Sequence, residues 1–584
     1  MVELGAVPRG GGVRFVLWAP GARRVALQLE GRGRVPMSPL GEGYWEAFVP
    51  GAAEGLRYMF VLDDGPARPD PASRYQPQGV HGPSEVLDLT AYPWADHDWK
   101  GLPLEEFIVY ELHVGTFSPE GTFEGVLRQL PYLRELGITA VELMPVGQFP
   151  GVRNWGYDVA YPFAVQASYG GPRGLQRLVD ACHRAGLAVV LDVVYNHLGP
   201  EGNYLGHYGP YFTDAYRTPW GPAINYDGPD SDHVRRYFME NIMQWHLYFH
   251  IDALRLDAVH GIFDHSARHV LQDFKEAARK ASEATGRPFY VIAESDQNDP
   301  RLIRPPELGG YGLDACWLDD FHHALHVALT GQRDGYYQDF DEPLQKLLKA
   351  YREGFIYSGQ YSRFRRRRHG ASSSDRPAEQ FVVFAQNHDQ VGNRPLGDRL
   401  RGRALRLAAA AVLLGPYIPL LFMGEEYDEP APFLYFVDHS DPALLQAVKE
   451  GRRREFEGFR WPEDFPEPGA QESFLQSRLN LALREAPGHR EHLEFYKRLI
   501  RLRKELVGRA GRQGLSVRRE GGLIILVRRA QGEEVLLGLN FAPEEAELGL
   551  RPPQGWQALL GPEPRAGGLK LGPQEAALLR RRLP

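Results

Sequence analysis

The sequence predicts an α/β protein built on a (β/α)8 TIM barrel, flanked by an N-terminal and a C-terminal β-sandwich domain. In the middle of the chain, eight short apolar runs alternate with longer amphipathic stretches, the pattern of parallel βαβ units. Before and after that part, short β-type runs are separated by Gly- and Pro-rich turns, which is typical of small antiparallel sandwiches. The chain has 584 residues and is too long for one compact core.

We therefore predict three domains, 1–92, 93–510 and 511–584. The first contains β-type runs such as "GVRFVLWAP" and "LRYMFVLDD" and resembles a carbohydrate-binding sandwich. The last contains "LIILVRRA" and "EVLLGLNF". A doubly wound sheet is the alternative for the middle domain, but no GxGxxG or GxxxxGK[ST] pattern follows an early strand, which disfavours it.

Composition excludes several classes of partner. The net charge of -8 on a chain of this length gives little attraction to nucleic acid or to an anionic membrane, and it suits a neutral substrate. No apolar run reaches the roughly 18 residues of a membrane span, and the first residues lack the pattern of a signal peptide. Cys182 and Cys316 lie far apart without metal-ligand spacing, so we expect free thiols and a cytoplasmic protein.

The predicted barrel strands become polar at their C-terminal ends, the face at which barrel enzymes hold their active sites. The polar residues at these ends are Asp192, Asn196, His197, Arg255, Asp257, His260, Glu294, Asp319, Asp320, His322, His323, Asn387, His388 and Asp389. Each of them alone has a structural interpretation: Asp192 as a partner of Arg255, and a single histidine as a satisfied polar group. Their recurrence at one end of different strands favours a functional site.

The segment "IDALRLDAVH" (251–260) places charges in an apolar strand, which is costly unless they are paired or used. Side chains two residues apart in a strand share a face, so Arg255 and Asp257 point the same way. Leu254 and Leu256 then point toward the helices. Asp252 has the opposite parity to Asp257, and we predict a structural role for it.

Three carboxylates, Asp257, Glu294 and Asp389, are expected to converge at the barrel mouth. Neighbouring carboxylates raise each other's pKa unless a cation compensates. Arg255 would keep Asp257 ionised and leave Glu294 free to hold a proton. An ionised nucleophile beside a protonated acid is what retaining glycoside hydrolysis requires. No HxH motif follows the first strand and no HExxH occurs, so a catalytic metal is disfavoured.

Four segments resemble the motifs of the α-amylase superfamily, glycoside hydrolase family 13. They are "DVVYNH" (192–197), "ALRLDAV" (253–259), "IAES" (292–295) and "QNHD" (386–389), and the strand order matches over nearly the whole chain. The resemblance implies that Asp257 is the nucleophile, Glu294 the general acid/base and Asp389 a third carboxylate that stabilises the transition state.

The same resemblance implies roles for the surrounding residues. Arg255 orients Asp257, His197 and His388 contact the sugar at the cleavage subsite, and Tyr157 in "NWGYDVAYPFAV" is the aromatic platform for that sugar. Further residues expected to contact substrate are Asp192, His260, Asp319, Asp320, His322, His323, Gln390 and Asn393. We expect Asp319, Asp320, His322 and His323 to lie on the leaving-group side, although adjacent residues cannot all face a ligand and half of them would then brace the mouth.

Longer segments narrow the resemblance to trehalose-releasing hydrolases of this superfamily. They include "VIAESDQNDPRL", "LDDFHHALHVALTG" and "QNHDQVGNRPLGDRL". The implied reaction is hydrolysis of the α-1,4-glucosidic bond next to the trehalose end of maltooligosyl trehalose. It would release trehalose and a maltooligosaccharide for trehalose biosynthesis, paired with a synthase that makes the substrate. Asn196 matches a position that ligates calcium in many α-amylases, but the following loop offers few oxygen ligands, so we expect no required metal and no cofactor.

Two other functions stay open at this point. One is a glucan branching or debranching enzyme of the same superfamily, although a branching enzyme is expected to read more like "AEEST" and "SHDEV" where this chain has "AESDQ" and "NHDQV". The other is a non-catalytic glucan-binding barrel. Such proteins typically lack catalytic carboxylates, and all three are present here.

Overall fold

The barrel predicted from the alternating pattern is present in the computed structural model of the protein, which describes residues 3–455, 459, 465–507, 511–530, 532–550, 555–565 and 568–583. Eight parallel strands close on themselves, with the last strand paired to the first. They are β1 (Val109–Leu112), β2 (Ala140–Leu143), β3 (Ala188–Val193), β4 (Ala253–Leu256), β5 (Tyr290–Ala293), β6 (Ala315–Trp317), β7 (Phe381–Phe384) and β8 (Ile418–Phe422).

Alternation along each strand separates the barrel interior from the helix layer. The interior contains an apolar layer made of Val109, Ala140, Ala188, Val190, Ala253, Ile292, Ala315, Trp317, Val382, Phe384, Ile418 and Leu420. Leu254 and Leu256 instead belong to the larger core that includes the outer helices, as strand parity predicts. Ala253 of β4 belongs to this apolar layer, and Arg255 is the next residue of β4 that points into the barrel. The polar site therefore begins directly above the apolar layer, toward the C-terminal ends of the strands.

The longer helices cover the barrel or follow its last strand. They are Phe123–Arg128, Leu130–Leu136, Gly171–Arg184, Ser231–Phe249, Val270–Thr285, Asp319–Thr330, Pro343–Glu353, Gly402–Leu413, Pro442–Glu455, Gln471–Gln476 and Pro487–Leu502. The sequence pattern favours one helix over 125–136, but the structure has two. Pro131 is the second residue of the later helix, and its missing N–H and its ring are incompatible with a helix interior.

The N-terminal domain is a sandwich of two four-stranded antiparallel sheets. One sheet contains Gly5–Arg9, Gly12–Trp18, Tyr44–Pro50 and Ser38–Gly41, and the other contains Gly33–Pro36, Val25–Leu29, Arg57–Leu62 and Ser84–Glu85. Trp18 is buried against the barrel helix Ser231–Phe249, where its ring stacks on His233 with centroids 5.0 Å apart. The Tyr44 hydroxyl lies 3.0 Å from Nδ1 of the same histidine. Aromatic side chains of this sandwich therefore hold it to the barrel.

The C-terminal domain is also antiparallel. A five-stranded sheet of Leu515–Glu520, Leu523–Ala530, Glu533–Asn540, Glu575–Arg582 and Gln557–Leu560 packs with the pair Ala546–Leu548 and Leu569–Leu571. The predicted domain boundary after residue 510 falls on 508–510, which lie outside the described residues. The boundary after residue 92 stays a prediction. Within the part of the chain that the structure describes, no helix combines the length and the apolar content needed to cross a bilayer.

Asp252 lies at the N-terminal end of β4, away from the barrel mouth, and is 2% exposed. Its Oδ1 accepts from Trp99 Nε1 at 2.7 Å, and its Oδ2 accepts from the Val189 amide at 2.8 Å and lies 2.9 Å from His183 Nε2. His183 is held on its other side by Asp96 Oδ2 at 2.7 Å from Nδ1. Burial alone would lower the pKa of His183, but the two carboxylates outweigh burial and raise it. This geometry agrees with a structural role for Asp252.

Replacing Asp252 by Asn is expected to lower the free energy of unfolding by about 3 kcal/mol, because the buried imidazole of His183 loses a charged partner. The kcat/KM of the folded variant should not change, since the residue lies at the opposite end of the barrel from the site. Chemical denaturation and initial rates measure both quantities. Asp98→Asn, at an exposed position of the same segment as Asp96, is the matched control and should alter neither.

Candidate active site

Arg255 lies at the centre of a cluster of acids at the mouth of the barrel, and its side chain is fully buried. Its NH1 group donates to both oxygens of Asp192, at 3.0 and 2.9 Å, and to Oδ1 of Asp257 at 2.8 Å. Its NH2 group lies 3.6 Å from Glu294 Oε2 and 3.9 Å from Asp389 Oδ2. One guanidinium therefore places its charge among four carboxylates, three of which were predicted to converge here.

The other contacts of Arg255 fix its plane. The guanidinium lies over the ring of Trp317 on β6, 4.3 Å from the ring centroid. Asp192 and Arg255 are register partners on neighbouring strands, so their ion pair follows directly from the pairing of β3 with β4. Burial raises the pKa of Asp192 to about 7, and Arg255 opposes that rise. Asp192 therefore contacts Arg255 rather than the open part of the cleft.

Asp257 and Glu294 are held on either side of a strained peptide segment. Asp257 Oδ2 accepts from the Asn196 side-chain amide at 3.1 Å. The next residue, Ala258, has a φ of 37°, a left-handed conformation that is costly for a residue with a Cβ. In this conformation the Ala258 amide donates to Glu294 Oε2 at 2.5 Å. The strained residue Ala258 directly follows Asp257 in the chain, and its amide binds Glu294. The backbone at Ala258 therefore links the two predicted catalytic carboxylates.

Glu294 has the environment of an acid that keeps its proton. Its side chain is 11% exposed, and burial raises its pKa, while Arg255 opposes this rise. Asp389 is more open, with 34% of its side chain exposed. Asn393 Nδ2 donates to Asp389 Oδ1 at 3.3 Å, and Gln390 Oε1 accepts from the Tyr336 hydroxyl at 3.0 Å. Glu294 and Asp389 thus differ in burial and in hydrogen-bond partners.

His388 is a buried cation below the cleft. Its Nδ1 lies 2.5 Å from Glu111 Oε1, and its Nε2 lies 2.6 Å from the Tyr157 hydroxyl. Burial alone would lower the pKa of this histidine, but Asp389 and Glu111 raise it to about 9. The Tyr157 ring stacks on the imidazole at 5.2 Å, and its hydroxyl donates to Asp192 at 2.6 Å. Tyr157 is half-buried. Its ring and its hydroxyl are held in place by these contacts with His388 and Asp192.

The predicted residues 319–323 separate into two groups on helix Asp319–Thr330. Asp319 is partly exposed, and burial together with the negative charges of Glu294 and Asp389 raises its pKa well above the usual range. Asp320 is buried, and its Oδ2 accepts from Asn298 Nδ2 and from the amides of Ile356 and Tyr357 at 2.6, 2.7 and 3.0 Å. All three bonds of Asp320 go to the protein itself.

His322 and His323, two of the three histidines of this helix, are buried and also contact protein groups. His322 Nδ1 lies 2.8 Å from the Ala385 carbonyl and its Nε2 lies 3.2 Å from the Tyr337 hydroxyl. The His323 ring packs on Tyr336 with centroids 4.3 Å apart. Burial lowers the pKa of both imidazoles well below the usual range. The geometry favours Asp319 as a cleft residue, while Asp320 and His322 brace the mouth.

His197 and His260 lie on the side of the cleft formed by the hairpin Phe212–Thr218 and Gly221–Ile224. Trp220, at the tip of this hairpin and 39% exposed, stacks on the His197 ring at 5.2 Å and lies 6.1 Å from the ring of His260. His197 Nε2 lies 3.1 Å from the Tyr157 carbonyl. This arrangement places a partly exposed indole ring beside His197 and His260.

A salt bridge close to His260 was not part of the sequence interpretation. Asp296, two residues after Glu294, pairs with Arg365 NH2 at 3.0 Å and lies 3.9 Å from His260 Nδ1. Arg365 follows the short strand Tyr361–Ser362, which pairs with Arg367–Arg368. In the basic run 365–368, Arg366 to Arg368 are exposed, whereas Arg365 is held by its ion pair with Asp296.

Glu111, Glu142, Trp220 and Tyr336 are site residues that sequence reasoning missed. For Glu111 and Glu142 a signal existed, because each is an acid inside an apolar strand, "VYEL" and "AVEL", like Arg255 in its own strand. For Trp220 no local signal existed. Its role depends on the hairpin being placed against His197.

Asn196 does not have a free carbonyl oxygen for a cation. Its Oδ1 lies 3.0 Å from His197 Nδ1, and its amide donates to Asp257. Among the described residues, the group Asp96, His183 and His250 has metal-ligand composition. Its atoms are at hydrogen-bond distances of 2.7 and 2.8 Å, and the Arg287 guanidinium lies 3.5 Å from the same Asp96 oxygen, which suits an ion-pair network.

Comparison with protein-family models gives two matches. The model of the alpha amylase catalytic domain matches residues 88–217, which include β1 to β3. The model of carbohydrate-binding module 48, the isoamylase N-terminal domain, matches residues 3–72. These matches agree with the barrel and with the N-terminal sandwich.

Similar proteins of known name narrow the family to which the chain belongs. It is 49% identical over 510 residues to a malto-oligosyltrehalose trehalohydrolase of Saccharolobus solfataricus, covering 87% of both chains. A crystal structure of a Salmonella typhimurium protein described as an alpha amylase has a TM-score of 0.91 and 40% identity, covering 99% of this chain and 100% of that one. A 1,4-alpha-glucan branching enzyme of Nitratidesulfovibrio vulgaris is 30% identical over 552 residues, covering 82% of this chain and 81% of that enzyme. The chain therefore belongs to the malto-oligosyltrehalose trehalohydrolase family of α-amylase-type glycoside hydrolases.

Proposed function

We propose that this glycosidase hydrolyses the α-1,4-glucosidic bond next to the trehalose end of maltooligosyl trehalose, with retention of configuration. The observation that carries the proposal is the arrangement of Asp257, Glu294 and Asp389 around one buried guanidinium at the barrel mouth. The names of the relatives point to trehalose as the group released.

In the first step, Glu294 donates its proton to the glycosidic oxygen while an oxygen of Asp257 attacks the anomeric carbon. The bond from that carbon to the trehalose unit breaks, and a glycosyl-enzyme ester forms. In the second step, Glu294 takes a proton from water, and the water oxygen attacks the same carbon and releases Asp257. The carboxylate of Asp389 binds sugar hydroxyls and stabilises the positive charge that develops on the ring.

The surroundings match the two sides of the scissile bond. The half-buried ring of Tyr157, which stacks on the buried imidazole of His388, suits the glucosyl unit that becomes attached to Asp257. Trp220, His260 and Asp319 offer an exposed aromatic face and polar groups for the non-reducing disaccharide that leaves. We assign Asp320 and His322 a positioning role, because Asp320 Oδ2 and both ring nitrogens of His322 already contact protein groups.

We further propose that the enzyme acts in the cytoplasm, after a synthase that converts the reducing end of a maltooligosaccharide into an α,α-1,1 linkage. The buried free thiols Cys182 and Cys316 suit a reducing compartment. The reaction proposed here consumes the product of such a synthase and returns a shortened maltooligosaccharide to it.

Product identification tests the function. The enzyme is incubated with maltooligosyl trehalose and, separately, with the plain maltooligosaccharide of equal length. Release of trehalose from the first at a much higher rate than any cleavage of the second supports the proposal. New or lost α-1,6 linkages would instead indicate branching or debranching, and equal rates on both substrates would indicate an amylase without trehalose selectivity.

The pH dependence tests the role of Glu294. Because burial raises its pKa, its proton is lost as pH rises through that raised value, so kcat/KM for maltooligosyl trehalose should fall on the alkaline side. An α-maltosyl fluoride needs little protonation of its leaving group, and its alkaline decline should be weaker. The same decline for both substrates would contradict the assignment of Glu294 as the acid.

A further inference from the structure

The hairpin 361–368 contacts the candidate active site through Arg365. The Arg365 NH2 group donates to the Asp296 carboxylate at 3.0 Å and to the Asp296 carbonyl at 3.3 Å. Asp296 comes two residues after Glu294, and its carboxylate lies 3.9 Å from His260, one of the residues proposed above for the leaving disaccharide. One side of the hairpin is therefore tied to the segment that carries the proposed acid.

Phe364, in the turn of the same hairpin, contacts a second segment of the site. Its side chain is 41% exposed, and its ring meets the ring of Tyr336 edge to face, with centroids 6.1 Å apart. The Tyr336 hydroxyl donates to Gln390 at 3.0 Å, and Gln390 directly follows Asp389. The hairpin thus connects the segments that follow Glu294 and Asp389.

One buried carboxylate outside the hairpin fixes its turn. Asp339 is 3% exposed and is the last residue of the short helix Gly335–Asp339. Its Oδ1 accepts from the amides of Arg363 and Phe364 at 2.7 and 3.1 Å, and its Oδ2 accepts from the Ser362 hydroxyl at 2.5 Å. Both oxygens of Asp339 are therefore used by three consecutive residues of the hairpin.

The contacts of Asp339 extend to Arg365 and to the protein behind it. Ser362 Oγ accepts from the Arg365 amide at 2.9 Å while it donates to Asp339. The Asp339 carbonyl accepts from the Tyr357 hydroxyl at 2.8 Å, so the backbone of Asp339 is itself held. Within the part of the chain that the structure describes, no cationic side chain forms an ion pair with Asp339. The hairpin donors therefore compensate for the burial of this carboxylate.

We propose that Asp339 is a positioning residue that holds the hairpin 361–368 against the leaving disaccharide and so contributes to selectivity for the trehalose end. This inference rests on the proposed function. Phe364 offers an aromatic face and Arg365 a guanidinium, groups that suit the apolar ring faces and the hydroxyls of a sugar. They distinguish an α,α-1,1-linked disaccharide from an α-1,4-linked one only when the hairpin is fixed in place.

The experiment compares wild type with D339A and D339N. It measures kcat and KM for maltooligosyl trehalose and for α-maltosyl fluoride, whose leaving group carries no sugar, and amide hydrogen exchange of the hairpin. In D339A, kcat/KM for maltooligosyl trehalose should fall about 30-fold, mostly through a higher KM, and kcat/KM for the fluoride should stay within about threefold. Exchange of the hairpin amides should accelerate about tenfold or more. D339N keeps an oxygen acceptor for the two amides and should lie between wild type and D339A.

The matched control is D334A, which makes the same chemical change just before the same short helix. Among the described residues, the Asp334 side chain has no hydrogen bond to the hairpin, so both rates and the exchange should stay near wild type. Equal losses on both substrates in D339A would reduce Asp339 to a contributor to general stability and overturn the proposal. Unchanged exchange, or unchanged kinetics despite faster exchange, would overturn it as well.

A failure of the proposed function has a different signature. Hydrogen exchange is measured without substrate, so it tests the hold of Asp339 on the hairpin whatever the reaction is. A wild-type enzyme that cleaves a plain maltooligosaccharide as fast as maltooligosyl trehalose would contradict the proposed function, and with it the selectivity assigned to the hairpin.

Discussion

Asp257→Asn should lower kcat/KM for maltooligosyl trehalose on the order of 10⁴-fold, the scale of loss seen when a covalent nucleophile is removed. The amide keeps the shape of the side chain but can accept from only one of the two donors, Arg255 NH1 and Asn196 Nδ2, and it does not form the glycosyl-enzyme ester. Ligand binding should survive, because the residues that contact the sugar are unchanged. The rate is measured by trehalose release and binding by calorimetry with a maltooligosaccharide.

Asp252→Asn is the matched control for this substitution, because it makes the same chemical change five residues earlier in the same segment. It should reduce stability and preserve activity, the reverse of Asp257→Asn. An Asp257→Asn enzyme that kept more than about one tenth of wild-type kcat would show that another group forms the covalent intermediate.

Arg255→Met should be the most destabilising substitution at the site, lowering the free energy of unfolding by about 3–5 kcal/mol. The guanidinium is fully buried, and its removal leaves Asp192 and Asp257 without their cation in a low-dielectric interior. The surviving folded fraction should be inactive, since Asp257 would lose its position. Arg255→Lys keeps the charge but not the planar guanidinium, whose NH1 donates to Asp192 and Asp257, so it should recover stability more than activity.

Arg235→Met provides the comparison for Arg255→Met. Arg235 is also a buried arginine, and it bridges Asp264 and Asp273 at 2.6 and 2.9 Å. Its loss should reduce stability by a similar amount while kcat/KM of the folded enzyme stays near the wild-type value. Equal loss of activity in both variants would mean that Arg255 acts through general stability alone. Denaturant titration and steady-state rates separate the two effects.

Local pattern predicted the architecture well because its signals repeat over short distances. The alternation of apolar runs and amphipathic stretches is visible in windows of ten to twenty residues, and all eight predicted barrel strands are present. Strand parity likewise predicted that Arg255 and Asp257 share a face. The break of the helix at Pro131 was missed, although its cause lies in the sequence itself.

For residues 319–323, the sequence alone did not decide which side chains face the cleft. Their chemistry indicated a polar mouth, but the helix that contains them and the packing of the 355–357 segment decide which side chains face the cleft. Asp320 Oδ2 accepts from amides 36 and 37 residues away, so this oxygen is already bound within the protein. Asp319, its neighbour, has no such partners among the described residues, and burial together with the negative charges of Glu294 and Asp389 raises its pKa.

The amino-acid sequence alone thus determined the barrel, its polar mouth and three of the acids that gather there, Asp257, Glu294 and Asp389, because periodicity and strand parity are local properties of the chain. Only the tertiary structure decided how those acids share their protons and cations. Glu111 and His388 meet across 277 residues, and Asp192 and Arg255 across 63. Protonation in a buried cluster depends on such through-space distances and on exclusion of water, which no short window of sequence contains.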